Sequence, residues 1–282
     1  MLANVQDAIL SLALDPNTHA YEHRLLTAAH KTHGRSDFGV AYKIDGTRCS
    51  GDAHTSLGNG LINAFNTYAS LRHIPREAWT NIHEGDDGVI GVEQEWVDNA
   101  TASLSLLGGL GYEIKLDRFW SLDDVSFCGR HVYLQHGAVH QHADIFRSLD
   151  KFHTTVSNCQ ADAVALAKAL SYYHTDADTP ILGPLAYAVA TVMSGKVSFS
   201  AKKRAVHAIK KERWITCEVD SDKIRLAGMP VITPAARASC YRRTGIPIDV
   251  QYEFERYCAQ MVEVGEILQP RQIPRLWDMR ED

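Results

Sequence analysis

The sequence has no Cys-x-x-Cys pair; its six cysteines stand alone at positions 49, 128, 159, 217, 240 and 258. That spacing excludes the common zinc and dithiol redox patterns, and scattered thiols suit a reducing, cytosolic compartment. An excess of positive charge is also missing: 29 Lys and Arg face 34 Asp and Glu, a net charge of −5. A chain that grips nucleic acid over a wide area is usually basic. Any such contact here must therefore be a local groove, and the balance equally suits carboxylates gathered around a cation. No apolar run is long enough to span a bilayer. The longest, Pro180 to Met193, is interrupted by Gly183 and Pro184 and reads as a core helix. An N-terminal signal pattern, an internal repeat and a low-complexity tract are absent too.

What is present is ordinary for a globular chain: 45% apolar and 22% charged residues. Its 282 residues suffice for a well-buried core, in one large or two smaller domains. Residues 1–14 fit strand or helix. Asp15-Pro16 reads as an N-cap and first-turn proline, predicting a helix to about His30. Gly34 to Gly39 reads as a loop and Val40 to Ile44 as a short strand. Leu57, Leu61, Ile62, Phe65 and Ala69 recur at helical spacing, predicting a helix over Thr55–Leu71. Trp79–His83, the turn Gly85-Asp86-Asp87 and Gly88–Val92 read as a β-hairpin. A further helix runs from Trp96 and is expected to end at Gly108-Gly109. Tyr112–Leu116 and Val125–Leu134 read as strands. Beyond about 150 the pattern is mainly helical, at Ala161–Tyr173, Pro184–Met193, Lys203–Trp214 and Gln251–Leu268. The first half is thus α+β and the second mostly α, with a boundary expected near 150.

Two segments carry chemistry. Ser50-Gly51-Asp52-Ala53-His54-Thr55-Ser56-Leu57-Gly58-Asn59 places a Ser-Gly turn before a helix. Thr55 and Asn59, four apart, share a helix face. With Ser50 they offer hydroxyl and amide groups of the kind that read a ribose 2′-hydroxyl. The same residues also read as a capped helix with a wet polar side. The second segment is His83-Glu84-Gly85-Asp86-Asp87-Gly88. Adjacent carboxylates on a tight turn repel unless a cation lies between them, and magnesium takes one or two carboxylates plus substrate phosphates. A plain surface hairpin is the alternative. By average composition a Gly-Asp-Asp triplet arises by chance in roughly one chain of this length in twenty, so the triplet alone decides nothing.

The order of the two segments is more specific. Ser-Gly-Asp-x-x-Thr-Ser-x-Gly-Asn, a helix, then strand–Gly-Asp-Asp–strand resembles motifs B and C of the RNA-directed RNA polymerases of positive-strand RNA viruses, the tombusvirus-like and nodavirus-like groups above all. Leu110-Gly111-Tyr112-Glu113-Ile114-Lys115 resembles motif D, Phe127-Cys128-Gly129 the start of motif E, and Glu22-His23 a pair after motif A. Thr244-Gly245-Ile246-Pro247 with Gln251 and Glu255 resembles a thumb segment more weakly.

The resemblance implies an α+β fold: a palm of antiparallel sheet and helices over 1–150, a mostly helical thumb over 151–282, and few fingers. It implies Asp86 as a magnesium (or manganese) ligand, with Asp87 a weaker one and Lys115 the acid that protonates pyrophosphate. Ser50, Gly51, Asp52, Thr55, Ser56 and Asn59 would bind the nucleotide. Phe127, Cys128, Lys202, Lys203 and Arg204 would contact RNA or primer. Two ions about 3.5–4 Å apart would serve the transfer. RNA template and product and ribonucleoside triphosphates would be the partners, in host cytoplasm within membrane-associated replication complexes.

The resemblance also implies motif A, Asp-x-x-x-x-Asp. If Glu22-His23 sets the register, positions 6 and 11 should be aspartates, but they are Gln6 and Ser11, and Asp7 is one residue away. The basic motif F is not evident. An incomplete sequence is the expectation. A split polymerase with an upstream segment or second chain, and a decayed copy acting only as a binding subunit, are the alternatives. A reverse transcriptase-like palm is disfavoured by the Gly before the acidic pair. The isolated chain is expected to polymerise little or not at all. Three weaker signals remain. Lys202, Lys203, Arg204, Lys210, Lys211 and Arg213, like Arg242 and Arg243, could track a duplex or simply be solvated. His131, His136, His140 and His142 match no zinc spacing and read as a polar loop. Asp123-Asp124 reads as turn chemistry.

Overall fold

Backbone preferences set the first elements. A computed structural model describes residues 2–29, 31–46, 48, 54–152, 154–155, 158–211 and 226–267, with only the backbone given at 2–3, 29 and 208–211. The ambiguous N-terminal stretch is a helix, α1 (Leu2–Ala13). Asp15 then starts α2 (Pro16–Ala29), its carboxylate accepting from the backbone N–H of Asn17 at 3.0 Å and of Thr18 at 3.2 Å. These bonds, the Thr18 hydroxyl first, lower the Asp15 pKa. The expected loop at 34–39 is shorter than the sequence suggested. β1 (Lys31–Arg35) runs through Gly34 and pairs antiparallel with β2 (Ala41–Asp45). Gly34 lacks the Cβ that would strike the Tyr42 ring, so the cross-strand tyrosine lies over it and the strand continues.

The chain divides into two compact units, Met1–Arg118 and Phe119–Asp282. The core of the first forms where α3 (Thr55–Leu71), the hairpin β3 (Trp79–Glu84) and β4 (Asp87–Val92), and α4 (Val97–Ser105) meet. Leu71, Ile74, Ala78, Trp79, Ala100 and Leu104 are its buried members. Each fully buried large apolar side chain contributes about 1.5–3 kcal/mol, which makes this cluster the anchor of the hairpin's base. Arg76 covers Trp79, its guanidinium 4.4 Å from the ring centroid. Helix α3 keeps the expected bounds, but the stripe that announced it is not its buried face. Leu57 is 63% and Phe65 41% exposed, whereas Gly58, Thr67 and Leu71 are buried. The helix after Trp96 does not stop at Gly108-Gly109. It tightens into a 3-10 turn over Leu106–Leu110 and ends at Gly111, whose φ of 92° suits glycine. Tyr112–Leu116, expected as a strand, pairs with no strand among the described residues and is irregular.

In the second unit the expected strand at 125–134 is instead a bent ribbon. β5 (Ser126–Phe127) turns through Cys128 and Gly129, at φ 53° and 72°, into β6 (Arg130–Gln135). Positive φ at both central residues is the type I′ pattern that matches strand twist. β6 pairs with β7 (Ala138–Ala143). The histidine stretch is therefore a hairpin and not a loop, with His131 facing His142 across it. His142 is fully buried. Its Nδ1 lies 2.9 Å from the Ala143 carbonyl and its Nε2 3.0 Å from Ser239 Oγ. No group of three or more potential metal ligands exists among the described residues.

Helices complete this unit: α5 (Ile145–Phe152), α6 (Ala161–Asp176), α7 (Leu182–Ser194), α8 (Phe199–Lys211), α9 (Pro234–Thr244) and α10 (Ile248–Val264). α5 and α9 have no counterpart in the sequence reading, and residues 212–214 of the expected third helix lie outside the described residues. α6 and α7 bury Leu166, Ala169 and Leu170 against Leu182, Ala186 and Val189. The apolar run at 180–193 is thus the core helix expected, and no described helix is long and apolar enough to cross a membrane. α9 shows how locally its bounds are set. The Thr233 hydroxyl accepts from Ala236 N–H, Pro234 follows, and Gly245 at φ 73° ends it. Among the described residues the sheets have two, two and three strands, all antiparallel. The architecture is therefore mixed helix and strand, with small antiparallel sheets in place of one continuous sheet.

Candidate active site

One face of α3 carries Ser56, Gly60 and Asn63, at positions i, i+4 and i+7, and the β3–β4 hairpin lies along it. Glu84 pairs with Asp87, so the turn itself is the two residues Gly85-Asp86. Gly85 has φ 60°, and glycine at the first central position is the demand of a type II′ turn. The helix meets this turn in three places. Ser56 Oγ donates to Glu84 Oε1. A Cβ on Gly60 would lie 3.7 Å from the Gly85 nitrogen. Asn63 Nδ2 donates to the Asp86 carbonyl at 3.1 Å and to that of Asp87 at 3.4 Å. The tip is therefore held by its backbone and by Glu84. The Asp86 and Asp87 carboxylates are exposed and have no hydrogen-bond or ion-pair partner among the described residues.

Beneath the tip, His83 faces inward. Its Nε2 lies 2.7 Å from Asn81 Nδ2. Burial lowers its pKa. Gly88 stands beside it because a Cβ there would come within 2.5 Å of His83 Nδ1.

Of the nucleotide-binding candidates, Ser50, Gly51 and Asp52 lie outside the described residues. Thr55 opens α3 and is half-buried, and Ser56 is spent on Glu84. Asn59 sits one helical turn before Asn63, about 6 Å along the axis. Its Oδ1 accepts from Arg48 Nη1, and Arg48 Nη2 donates to Gln6 Oε1. Gln6, the position where the motif register asks for an aspartate, is 3% exposed. Asp7 is committed elsewhere: its Oδ1 lies 3.0 Å from His19 Nε2 and 2.7 Å from His23 Nδ1. The His23 contact, more than any other, holds the Asp7 carboxyl below its usual range. Ser11 Oγ only donates to the Ala8 carbonyl at 2.7 Å within α1. Lys115 is 87% exposed in the irregular stretch, 3.6 Å from Asp117; no contact joins it to the hairpin tip.

The remaining candidates belong to the second unit. Phe127 is half-buried on β5, while Cys128 is exposed at the turn. Lys203 and Arg204 are exposed on α8, Lys202 half-buried beside them, and Ala201 and Ala205 are buried against α6. The side chains of Lys210 and Lys211, and all of Arg213, lie outside the described residues. Arg242 and Arg243 are engaged within the fold. Arg242 Nη1 is 2.7 Å from Asp123 Oδ2, and Arg243 Nη2 donates to the Asp124 carbonyl at 2.7 Å. The acidic turn 123–124 is thus clamped to the last turn of α9. Gln251 and Glu255 are structural as well. Gln251 Nε2 donates to the carbonyls of Arg237 and Ile246, at 3.2 and 3.0 Å. Glu255 forms a two-armed pair with Arg237, which also stacks 3.9 Å over Tyr252.

Sequence reasoning missed Asn63, Arg48 and Glu84. The spacing Ser56-x-x-x-Gly60-x-x-Asn63 was available as a signal, since a small residue flanked by polar ones on one helix face marks close approach of a polar backbone.

A family model described as viral RNA dependent RNA polymerase matches residues 13–262. The RNA-directed RNA polymerase of Pariacoto virus is 33% identical over 160 residues, 53% of this chain and 16% of that protein. That of Cucumber necrosis virus is 27% identical over 219 residues, 77% of this chain and 26% of the relative. That of Greasy grouper nervous necrosis virus is 32% identical over 155 residues, 51% and 15% respectively. The matched part is a minor fraction of each relative's length.

Proposed function

The chain belongs to the viral RNA-dependent RNA polymerase family, and from that premise we propose that it is the part of such an enzyme that receives the incoming ribonucleoside triphosphate and aligns it for transfer. Residues 1–150 form the palm, with motifs B to E, and 151–282 the thumb. The observation that carries this reading is the docking of the Gly85-Asp86 turn on Ser56, Gly60 and Asn63. It leaves two adjacent carboxylates without a partner among the described residues, at the edge of a helix whose start is rich in hydroxyl and amide groups.

The donor set fits a hard divalent cation that completes its shell with water and substrate phosphates. Asp86 would hold it directly and Asp87 more weakly. Bound there, magnesium or manganese supplies charge neutralisation on the reacting phosphates. A second ion needs another carboxylate, and Gln6 and Asp7 do not supply one. Asn59 and Thr55 would present polar groups to the ribose, and the motif gives Ser50, Gly51, Asp52 and Ser56 the same role, the first three lying outside the described residues. Lys115, which no contact joins to the tip, would have to approach it to serve as proton donor to pyrophosphate. Phe127, Cys128 and the basic start of α8, Lys202 to Arg204, contact primer and product RNA. The setting is a cytoplasmic, membrane-associated viral replication complex.

Because the first motif is not intact, this chain alone is expected to incorporate little or no nucleotide. Placing the upstream part of the Pariacoto virus polymerase ahead of it should give template-dependent incorporation of labelled nucleotide. Asp86→Ala should cut that activity about a hundredfold or more. Robust incorporation by the chain alone would refute the incomplete-site reading. A fusion that is folded yet inactive with either magnesium or manganese would refute the polymerase role.

A further inference from the structure

Arg48 links two amides on separate elements. Its guanidinium donates through Nη1 to Asn59 Oδ1 and through Nη2 to Gln6 Oε1. It also fills the space over Gly58, where a Cβ would lie 2.7 Å from the guanidinium carbon. A Cβ at that point of α3 would displace the guanidinium.

A guanidinium has donors only. An amide that touches it must turn its oxygen toward it, which removes the usual two-fold ambiguity of an asparagine side chain. Oδ1 of Asn59 is thus committed to Arg48, and Nδ2 is the group Asn59 has to offer elsewhere. A ribose 2′-hydroxyl can accept as well as donate, so it can satisfy a fixed N–H donor. A 2′-deoxyribose offers nothing in its place, and a polar group left unpaired on binding is what makes such discrimination large.

We propose that Arg48 is a positioning residue for ribose selection: it holds the Asn59 amide so that its NH2 group meets the 2′-hydroxyl of the incoming ribonucleotide. The proposal rests on the nucleotide-binding role given to Asn59 above. Gln6 serves as the second anchor. It is buried, and it grips the other arm of the same guanidinium, so Arg48 is held from α1 as well as from α3. The residue that replaces the expected aspartate thereby acquires a use: it orients the arginine that orients the asparagine.

Equilibrium dialysis of the full chain with labelled ATP or 2′-deoxy-ATP, in the presence of manganese, separates the possibilities. Wild type should prefer ATP by about five- to tenfold, the worth of one hydrogen bond. Arg48→Ala should bring the ratio close to one while leaving 2′-deoxy-ATP affinity within about twofold, and Asn59→Ala should also bring the ratio close to one. The double variant should be no worse than either single one, because both act through the same amide. Arg48→Lys, which keeps a donor but reaches only one amide, should retain part of the preference and covers the case in which the alanine variant does not fold. A wild-type ratio of one would sink this proposal together with the role of Asn59. A wild-type preference that survives in Arg48→Ala, or equal weakening of both nucleotides in it, would overturn the Arg48 proposal alone.

Discussion

At the hairpin tip the backbone and the side chains do different jobs. Asn63 takes the carbonyls of Asp86 and Asp87, and Ser56 takes Glu84, so the turn is fixed without using either aspartate carboxylate. Two like charges on neighbouring residues repel, and a cation held between them relieves that repulsion. A cation should therefore bind here even in the absence of nucleotide. We expect manganese titration followed by electron paramagnetic resonance to show binding to wild type, loss of about tenfold or more in Asp86→Asn, and a smaller loss in Asp87→Asn. Equal losses, or none, would contradict the unequal roles assigned to the pair. Arg242 and Asp123 teach the opposite lesson about exposed charge. Their contact is 2.7 Å long, but the side chains are 47% and 26% exposed, and such pairs are worth no more than about 1 kcal/mol. That clamp fixes the position of the turn more than it stabilises the fold.

Among the elements, the α6–α7 corner is the most tightly specified. Leu182 N–H donates to the Pro180 carbonyl at 2.7 Å across Ile181, which sits at φ 66° and ψ −57° with its side chain fully buried. This is the strained form of the γ-turn, and it is rare for a β-branched residue. It carries α7 back onto α6 so closely that a Cβ on Gly183 would lie 1.9 Å from the Ala177 carbonyl oxygen. Gly183→Ala should therefore destabilise the second unit by about 3 kcal/mol or more, since backbone meets backbone and neither side can rotate away. Gly60→Ala, with 3.7 Å to the nearest backbone atom, should cost little or be mildly stabilising through helix propensity. Thermal melts followed by circular dichroism distinguish the two. The sequence revealed those elements whose signals are local. Asp15-Pro16, Thr233-Pro234 and Gly245 bound their helices as side-chain caps, proline and glycine require, although only the first of these was read in advance. The hairpin at 79–92 was legible from alternation and its Gly-Asp turn. Illegible were the features decided by distant partners: which face of α3 is buried, the failure of Tyr112–Leu116 to find a neighbouring strand, and the pairing of His131 with His142. The same divide runs through the candidate site. Asp86, Asp87 and Asn59 stood out as types in a pattern, while Arg48 and Asn63 acquire meaning only from what they touch.

Within the molecule as a whole, the second unit should respond to acidity through two histidines, half-buried His131 and fully buried His142. Burial, more than any neighbouring charge, lowers the His131 pKa to about 4, with Arg243 and His142 pushing the same way and Asp144 opposing. Burial also lowers that of His142. An unfolded histidine takes up its proton near 6.5. Between that value and about 4 the unfolded chain binds protons that the folded chain refuses, so the folded state is favoured in full above 6.5 and loses ground as pH falls. The loss per pH unit is at most about 1.4 kcal/mol for each such group. Melting temperatures should drop from pH 7 to pH 5, and His131→Gln should flatten the dependence. A wild-type profile flat over that range would show that the ring is not sequestered. The carboxylates of Asp15 and Asp123, held low by their hydrogen bonds, act in a more acidic window, below their ordinary value of 3.8.

The β3–β4 hairpin is, mechanically, a cantilever. Its root is wedged at Trp79 and Val92 in apolar packing that resists displacement, while its free end rests on a hydroxyl, a glycine and an amide. Side chains at such an end can swing or shift by fractions of an ångström without prying the root loose. The two carboxylates are thereby carried on a turn braced at both root and tip, so that their side chains alone, and not the backbone, have room to adjust.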